Sequence, residues 1–211
     1  KSDPDLQAAH HAAPWIVTWD DHEVANDYAG DRDERLAPDF AARRAAAYQA
    51  FYEHMPLRVA PASRGNFGAL RIYDRFDWGR LARLHVLDDR QYRGHHACPQ
   101  RGRGGSSPVY PARCAALADP ARTMLGAAQE AWLGEGLQSS RARWNFLLQQ
   151  TPMAQATQVP IIKPGDGRFW NDGWDGYPAA RRRLFDALSS SGAANPVALS
   201  GDVHTFYASE L

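Results

Sequence analysis

The sequence has 211 residues, of which 44% are hydrophobic, and this is enough for one domain with a buried core. Its 24 lysine and arginine residues balance its 24 aspartate and glutamate residues, so charge gives no case for nucleic acid or an anionic membrane as the main partner. No apolar run approaches the roughly 20 residues that a membrane-spanning helix needs.

The predicted elements follow from hydrophobic spacing and from turn residues. In chain order they are a strand over 14–19, a helix over 39–55, strands over 69–77 and 81–87, an irregular loop over 91–118, a helix starting at Asp119-Pro120, a strand over 144–148, a loop over 160–176, a helix from Pro178 that closes at Gly192, and a strand over 197–199. Alternating strands and helices predict a layered α/β fold. No repeat or linker divides the chain, so residues 1–211 are interpreted as one domain.

Several predicted strands end in polar clusters. These are Asp20-Asp21-His22-Glu23, Asp88-Asp89-Arg90, Gln149-Gln150 and Gly201-Asp202-Val203-His204. One acidic strand end is usually a turn or a helix cap, and a surface or interaction protein with only such caps is one alternative. In layered α/β proteins, however, strand ends converge to form binding sites. Carboxylate, histidine and amide groups bind hard to borderline cations, so the clusters predict a metal site.

The spacing within two of these clusters suggests roles for individual residues. Asp202 and His204 would point to the same side of an extended segment and could bind one metal together. Asp21 and His22 would point apart, so that one could bind metal while the other acts on substrate. Glu23 could then orient His22 from behind the ligands. The sequence has no Gly-x-Ser-x-Gly, His-Glu-x-x-His, P-loop or dinucleotide-binding motif to support a different chemistry.

The two cysteines, Cys98 and Cys114, lie in a stretch rich in glycine, proline and arginine. They could form a disulfide that staples this loop, which would imply an oxidising compartment, or they could be two free thiols. Their spacing leaves both possibilities open. No closely spaced ligand set accompanies them, which argues against a zinc site.

Five motifs together resemble the PhoD-type alkaline phosphatases. They are Trp19-Asp-Asp-His-Glu-Val24 with Asn26, Leu87-Asp-Asp-Arg-Gln-Tyr-Arg93, Leu125-Gly-x-x-Gln129 with Trp132-Leu133, Asp172-Gly-Trp-Asp-Gly-Tyr-Pro178 with Arg181, and Leu199-Ser-Gly-Asp-Val-His204. They occur in the family's order and cover nearly the whole chain. The final Gly-Asp-x-His is similar to the last ligand motif of the calcineurin-like metallophosphatase superfamily. Asp-Asp-His-Glu stands where that superfamily commonly has Gly-Asn-His-Glu.

The resemblance implies a layered α-β-β-α sandwich around a centre of two metal ions. It implies hydrolysis of phosphate mono- and diesters, from small molecules or lipids, by attack of a metal-activated hydroxide. The implied metals are calcium and iron, whereas related enzymes use zinc, manganese or iron pairs. The family is typically exported through the twin-arginine route, so we expect a periplasmic or secreted protein. Because the family has a similar cysteine loop, the resemblance favours a disulfide between Cys98 and Cys114.

The resemblance also assigns site residues by position. The implied metal-binding residues are Asp21, Asn26, Asp202 and His204. His22 is implied to stabilise the phosphate or to protonate the leaving oxygen. Asp20 and Glu23 are expected behind the metal ligands.

Arg90 is a candidate for a planar, bidentate contact to phosphate. The alternative for this side chain is a salt bridge to Asp88 or Asp89.

The chain departs from the family pattern at its start. The family's early Cys-x-Asp-type and Gly-Asp-x-x-Tyr motifs, which supply several metal ligands, do not occur after Lys1. We therefore expect the C-terminal part of a catalytic domain, with a sandwich that is incomplete on its N-terminal side. A metal centre that lacks half its ligands binds weakly or not at all. The alternative to an active phosphoesterase is thus a non-catalytic truncated domain that binds phosphate or a protein partner.

Overall fold

A computed structural model describes residues 2–58 and 65–211. The helices are α1 (Pro4–Ala12), α2 (Phe40–His54), α3 (Gly126–Gln138) and α4 (Pro178–Ser191). The strands are β1 (Asp74–Trp78), β2 (Ala82–Val86), β3 (Pro108–Val109), β4 (Trp144–Leu148), β5 (Phe169–Trp170) and β6 (Pro196–Leu199). None of the helices in these ranges is both long and apolar enough to cross a bilayer.

Four strands form a mixed sheet in the order β1-β2-β4-β6. β1 pairs antiparallel with β2, while β2, β4 and β6 are parallel neighbours. Helix α3 connects β2 to β4, and α4 connects β4 to β6, as parallel pairing requires. The carboxyl ends of β2, β4 and β6 therefore meet at one edge of the sheet, which is where the polar clusters follow them.

The two helices bury one face of the sheet. Leu147 of β4 and Leu87, just beyond β2, share a core with Leu133 of α3 and Leu184 of α4. Gln129 of α3 also reaches the end of β2. Its side chain accepts a hydrogen bond from the backbone N–H of Asp88 at 2.9 Å and donates to the carbonyl of Asp88 at 2.8 Å. The helix thereby fixes the backbone that carries one of the polar clusters.

The opposite face of the sheet has several exposed apolar side chains. Trp78, Ala82 and Trp144 are neighbours in register, so their side chains point to the same face. Trp78 is 69% exposed, Trp144 is 38% exposed, and Leu199 at the end of β6 is 51% exposed. Aromatic and aliphatic side chains on a sheet face are usually covered, so this face is a surface on which another layer could pack.

A second core forms around α2. Trp19 stacks on Tyr48 with the ring centroids 4.0 Å apart, and both side chains are fully buried. Phe51 and Leu70 complete the contact. This core anchors the chain just before Asp20 and Asp21.

Most predicted elements are confirmed, with three corrections. Residues 14–19 form no strand: Trp15 and Ile16 are about two-fifths exposed, and the Trp19 carbonyl is bonded by a side chain, that of Gln150. The predicted helix start at Asp119 is wrong, because the Asp119 side chain caps a turn through the N–H of Ala121 and α3 begins only at Gly126. The strand predicted over 69–77 is β1, which begins at Asp74.

The cysteine loop is closed by a disulfide between Cys98 and Cys114. Cys114 packs with Val109 of β3 and Phe169 of β5 in a small separate core. Asn171, just after β5, ties this loop to the rest of the fold. Its side chain accepts from the N–H of Ser107 and donates to the carbonyl of Ala97, both at 2.7 Å.

Candidate metal centre

The polar residues after three parallel strands meet the segment that follows Trp19. The Gln150 amide, just beyond β4, donates to the carbonyls of Trp19 at 2.9 Å and Leu87 at 3.1 Å. Its oxygen accepts from the N–H of Asp89 at 3.0 Å. The N–H of Gly201, after β6, donates to the carbonyl of Gln150 at 2.9 Å. One buried glutamine therefore holds together the chain segments that build the site.

Three carboxylates come together at this edge. Each of Asp20, Asp21 and Asp202 offers an oxygen within 4.8 Å of the others. Asp21 is buried, and its carboxylate accepts from the backbone N–H groups of His22 at 2.8 Å and Asp27 at 2.9 Å. These bonds stabilise the turn over 21–27 and fix the direction of the Asp21 side chain.

Asp202 lies in an electrostatically unfavourable place for a negative charge. Burial is the largest cause that raises the pKa of Asp202 to about 7; Arg90 opposes the rise, and the nearby carboxylates of Asp172, Asp20 and Asp21 contribute to it. Burial likewise raises the pKa of Asp20, despite the Arg90 charge beside it. Both carboxylates are therefore harder to ionise than an exposed aspartate.

A cleft of about 560 Å³ opens in front of the cluster. Five of the predicted site residues line it: Asp21, His22, Asn26, Asp202 and His204. Trp170 and Tyr207 add aromatic surface, and Asp27 and Asp175 add two carboxylates that sequence reasoning did not single out. Asp175 is already paired, since it accepts from Arg181 at 2.7 Å.

The geometry of Asp202 and His204 differs from the prediction. Both residues have left-handed backbone conformations, with φ of 65° and 56°, so the extended segment that would align their side chains is absent. His204 lies on the cleft wall but outside the three-carboxylate group. Asn26 is exposed on the same wall, where its amide donates to Glu34 at 3.4 Å.

His22 and Glu23 follow Asp21 on the surface. The His22 side chain is 74% exposed, with Nε2 3.9 Å from a carboxylate oxygen of Asp21. The Glu23 carboxylate accepts from the backbone N–H of Asp20 at 2.7 Å. Glu23 thus stabilises the turn through this hydrogen bond, whereas the sequence predicted that it would orient the ring of His22.

Arg90 lies behind the cluster and has no exposed surface. Its Nε donates to Asp20 at 2.6 Å and its Nη1 donates to Asp172 at 2.7 Å. Arg90 therefore forms salt bridges, but with Asp20 and Asp172 rather than with the predicted Asp88 or Asp89. Its guanidinium does not face the cleft. Arg90 instead supplies a fixed positive charge beneath the carboxylates.

Asp172 is the buried partner that the sequence prediction missed. Burial opposes its ionisation, but the charges of Arg90 and Arg93 and the contact with His96 hold its pKa well below the usual range. Asp172 belongs to one of the motifs that resemble the PhoD-type family, but it follows no long predicted strand, so the strand-end pattern does not identify it. The family motif is therefore the one sequence signal that points to Asp172.

The donor set fits a metal ion. Carboxylate oxygens are the ligands that hard cations prefer, and the three lie close enough to share one ion. Arg90 is the one cationic side chain that approaches all three of them in the described part of the chain. The cluster therefore has the chemistry of a divalent cation site.

Comparisons with known proteins agree with this reading. A family model for PhoD-like phosphatases matches residues 1–211. The chain is 44% identical over 213 residues to alkaline phosphatase D of Bacillus subtilis (strain 168), covering 100% of this chain and 34% of that protein. A solved structure of PhoD superposes with a TM-score of 0.83 at 43% identity, over 96% of this chain and 37% of the other. The chain spans about a third of the length of both relatives, and it belongs to the PhoD-like phosphatase family.

Proposed function

We propose that the protein is a metal-dependent phosphoesterase that hydrolyses phosphate mono- and diesters, including phospholipid or small-molecule esters. The observation that carries this proposal is the convergence of Asp20, Asp21 and Asp202, the last two of which line a cleft. Membership of a family of phosphatases supports the same reaction class.

Asp21 and Asp202 would hold metal with one oxygen of Asp20, and Asn26 and His204 would complete the shell from the cleft wall. Bound metal ions supply positive charge for the phosphoryl oxygens and a hydroxide nucleophile at neutral pH. His22, exposed at the rim, would donate a proton to the leaving oxygen. Arg90 would fix the Asp20 carboxylate from behind rather than bind phosphate.

Calcium together with iron is the metal pair we propose, with zinc or manganese as alternatives. A site built from carboxylate oxygens suits calcium. Residues 1–211 would form part of one catalytic domain, a layered sandwich that is incomplete here. The sheet face with the exposed side chains of Trp78 and Trp144 supports a missing second layer.

We further propose a periplasmic or secreted location. The disulfide between Cys98 and Cys114 supports an oxidising compartment.

The alternative is a truncated domain that binds phosphate or a protein partner without hydrolysis. It is favoured by the small size of the carboxylate group, since only three gather among the described residues, and three are few for a centre of two metal ions. The two functions differ in a simple measurement on the 211-residue chain and on the full-length protein.

The test is turnover of p-nitrophenyl phosphate and bis(p-nitrophenyl) phosphate, before and after metal chelation. We expect the full-length protein to hydrolyse one or both esters, and chelation or Asp202→Asn to remove the activity. Asp186→Asn, an exposed carboxylate on α4, is the matched control and should keep full activity. Turnover that neither chelation nor Asp202→Asn reduces would exclude the proposed chemistry.

A further inference from the structure

A buried ionic network lies beneath the acidic cluster, centred on Asp172. One carboxylate oxygen of Asp172 accepts from Nη1 of Arg90 at 2.7 Å. The other accepts from Nη2 of Arg93 at 2.8 Å and lies 3.1 Å from Nε2 of His96. All four side chains are buried. Burying charged side chains costs desolvation free energy, and a functional role for the network would explain why this cost is met.

Arg90 is the member of the network that reaches the cluster. Its Nε is bonded to Asp20, but its Nη2 is buried and has no hydrogen-bond partner among the described residues. That nitrogen lies 3.5 Å from an oxygen of Asp202 and 4.0 Å from an oxygen of Asp21. The guanidinium thus forms long ion pairs with two candidate metal ligands without donating a hydrogen bond to either.

The distance from contact is small. A charge-assisted N–H···O bond is about 2.8 Å long, so a shift of under about 1 Å would give Nη2 an oxygen of Asp202. An arginine does not lose its proton in a protein, so once paired it would compete with a cation for the same oxygens. A restraint on the Arg90 side chain is therefore needed to keep Nη2 from pairing with Asp202.

We propose that Asp172 is a positioning residue that restrains Arg90 and so prevents it from competing with metal for the oxygens of Asp21 and Asp202. This inference rests on the proposed function, because it assumes that the cluster binds a cation. Asp172 touches neither substrate nor metal in this scheme. It acts through its hydrogen bond with Nη1 of Arg90, whereas Nη2 is the nitrogen that approaches the cluster.

Arg93 provides an internal comparison. It bonds the same carboxylate as Arg90, but its other bonds go to the carbonyls of Tyr28 at 2.6 Å and Asp172 at 2.7 Å. No ion pair joins Arg93 to the cluster in the part of the chain that the structure describes. Removing Arg93 therefore removes the same charge from the network without removing the competitor.

The experiment measures Mn²⁺ binding to the metal-stripped full-length protein, with free ion counted by electron paramagnetic resonance. We expect Asp172→Asn to weaken the Mn²⁺ Kd by ten-fold or more. Adding Arg90→Gln to Asp172→Asn should restore the Kd to within three-fold of wild type. Adding Arg93→Gln instead should leave it weak, which separates competition from a change in net charge.

The outcomes are distinguishable. Wild-type protein that binds no Mn²⁺ contradicts the proposed function itself. A wild type that binds and a folded Asp172→Asn variant with an unchanged Kd overturns the inference, as does equal rescue by Arg90→Gln and Arg93→Gln. If Asp172→Asn alone does not fold, the Asp172→Asn/Arg90→Gln protein, which lacks both charges of the pair, carries the test. A Kd more than ten-fold weaker than wild type in that folded protein contradicts the proposal.

Discussion

His85 should make the stability of this fold depend on pH. It lies in the middle of β2 with no exposed surface, and neither ring nitrogen makes a hydrogen bond within the described residues. Its register partner on β1 is Arg75, and Trp132 of α3 packs edge-on to its ring at 6.2 Å. Burial, followed by the charges of Arg75 and Arg83, lowers the pKa of His85 from 6.5 to about 4.

The sign follows from proton linkage. The unfolded chain takes up a proton near pH 6.5, whereas the folded state resists it until about pH 4. The contribution of His85 to the free energy of unfolding is therefore fully present above pH 6.5 and is lost as the pH falls toward 4. With about 1.4 kcal/mol per pKa unit, the loss is about 2 kcal/mol between pH 7.5 and pH 5.

The measurement is urea unfolding of the chain, followed by tryptophan fluorescence, for wild type and His85→Leu. Other buried groups also titrate, so the quantity of interest is the difference between the two proteins. We expect the wild type to lose about 2 kcal/mol more than His85→Leu from pH 7.5 to pH 5. His11→Leu, an exposed histidine on α1, is the control and should follow wild type. Parallel pH profiles for wild type and His85→Leu would refute the reasoning.

Three further predictions concern the disulfide, the packing of α3 and the hydrogen bonds of a buried glutamine. Replacing Cys98 and Cys114 by serine opens a loop of sequence separation 16 and should cost about 3 kcal/mol in urea unfolding, with reductant reproducing the loss in wild type only. On α3, a Cβ at Gly136 would displace the Arg75 guanidinium, which donates to the carbonyl of Trp132 at 2.7 Å, so Gly136→Ala should lower the free energy of unfolding. At Gly134 a Cβ meets no described atom within 4 Å, so Gly134→Ala should raise the free energy of unfolding by about 0.5–1 kcal/mol. An equal effect of the two substitutions would contradict the packing. Gln150→Leu leaves the N–H of Asp89 and the Trp19 carbonyl unpaired, and should cost about 3 kcal/mol and weaken Mn²⁺ binding; unchanged stability would show that water replaces these bonds.

The sequence predicted the elements whose pattern is local. β2, β4, β6, α2 and α4 all lie where apolar spacing placed them, and Gly192 ends α4 with φ of 72°, as a left-handed closing residue does. Residues 14–19 have the apolar pattern of a strand, but they pair with no strand among the described residues. Pairing depends on distant parts of the chain, so the pattern of the segment alone cannot predict it. Helix α3 starts late because Asp119 can cap a turn as well as a helix.

In the candidate site, too, local patterns were predictable and contacts between distant residues were not. Asp202 was found because polar residues after parallel strands must share an edge. Asp21 was predicted from a strand over 14–19 that the structure lacks, and it reaches the same edge because the Gln150 side chain bonds the Trp19 carbonyl. The orientation of Arg90 could not be found in this way, because its partner Asp172 is 82 residues away in the chain. Whether an arginine faces a cleft or a buried carboxylate depends on which distant loop packs behind it. Here that loop is tied by Asn171 to the cysteine loop.

Charge counting connects the network to the cleft. Asp172 and Arg93 neutralise each other below the site, which leaves one arginine against the three carboxylates Asp20, Asp21 and Asp202. The three carboxylates offer a surplus of negative charge over the one arginine, and a bound metal cation would match it, since no second cationic side chain approaches all three among the described residues. If Arg90 were free to move, it would remove part of this surplus at the metal's expense. The same arginine can therefore support the site or block it, and the carboxylate behind it decides which.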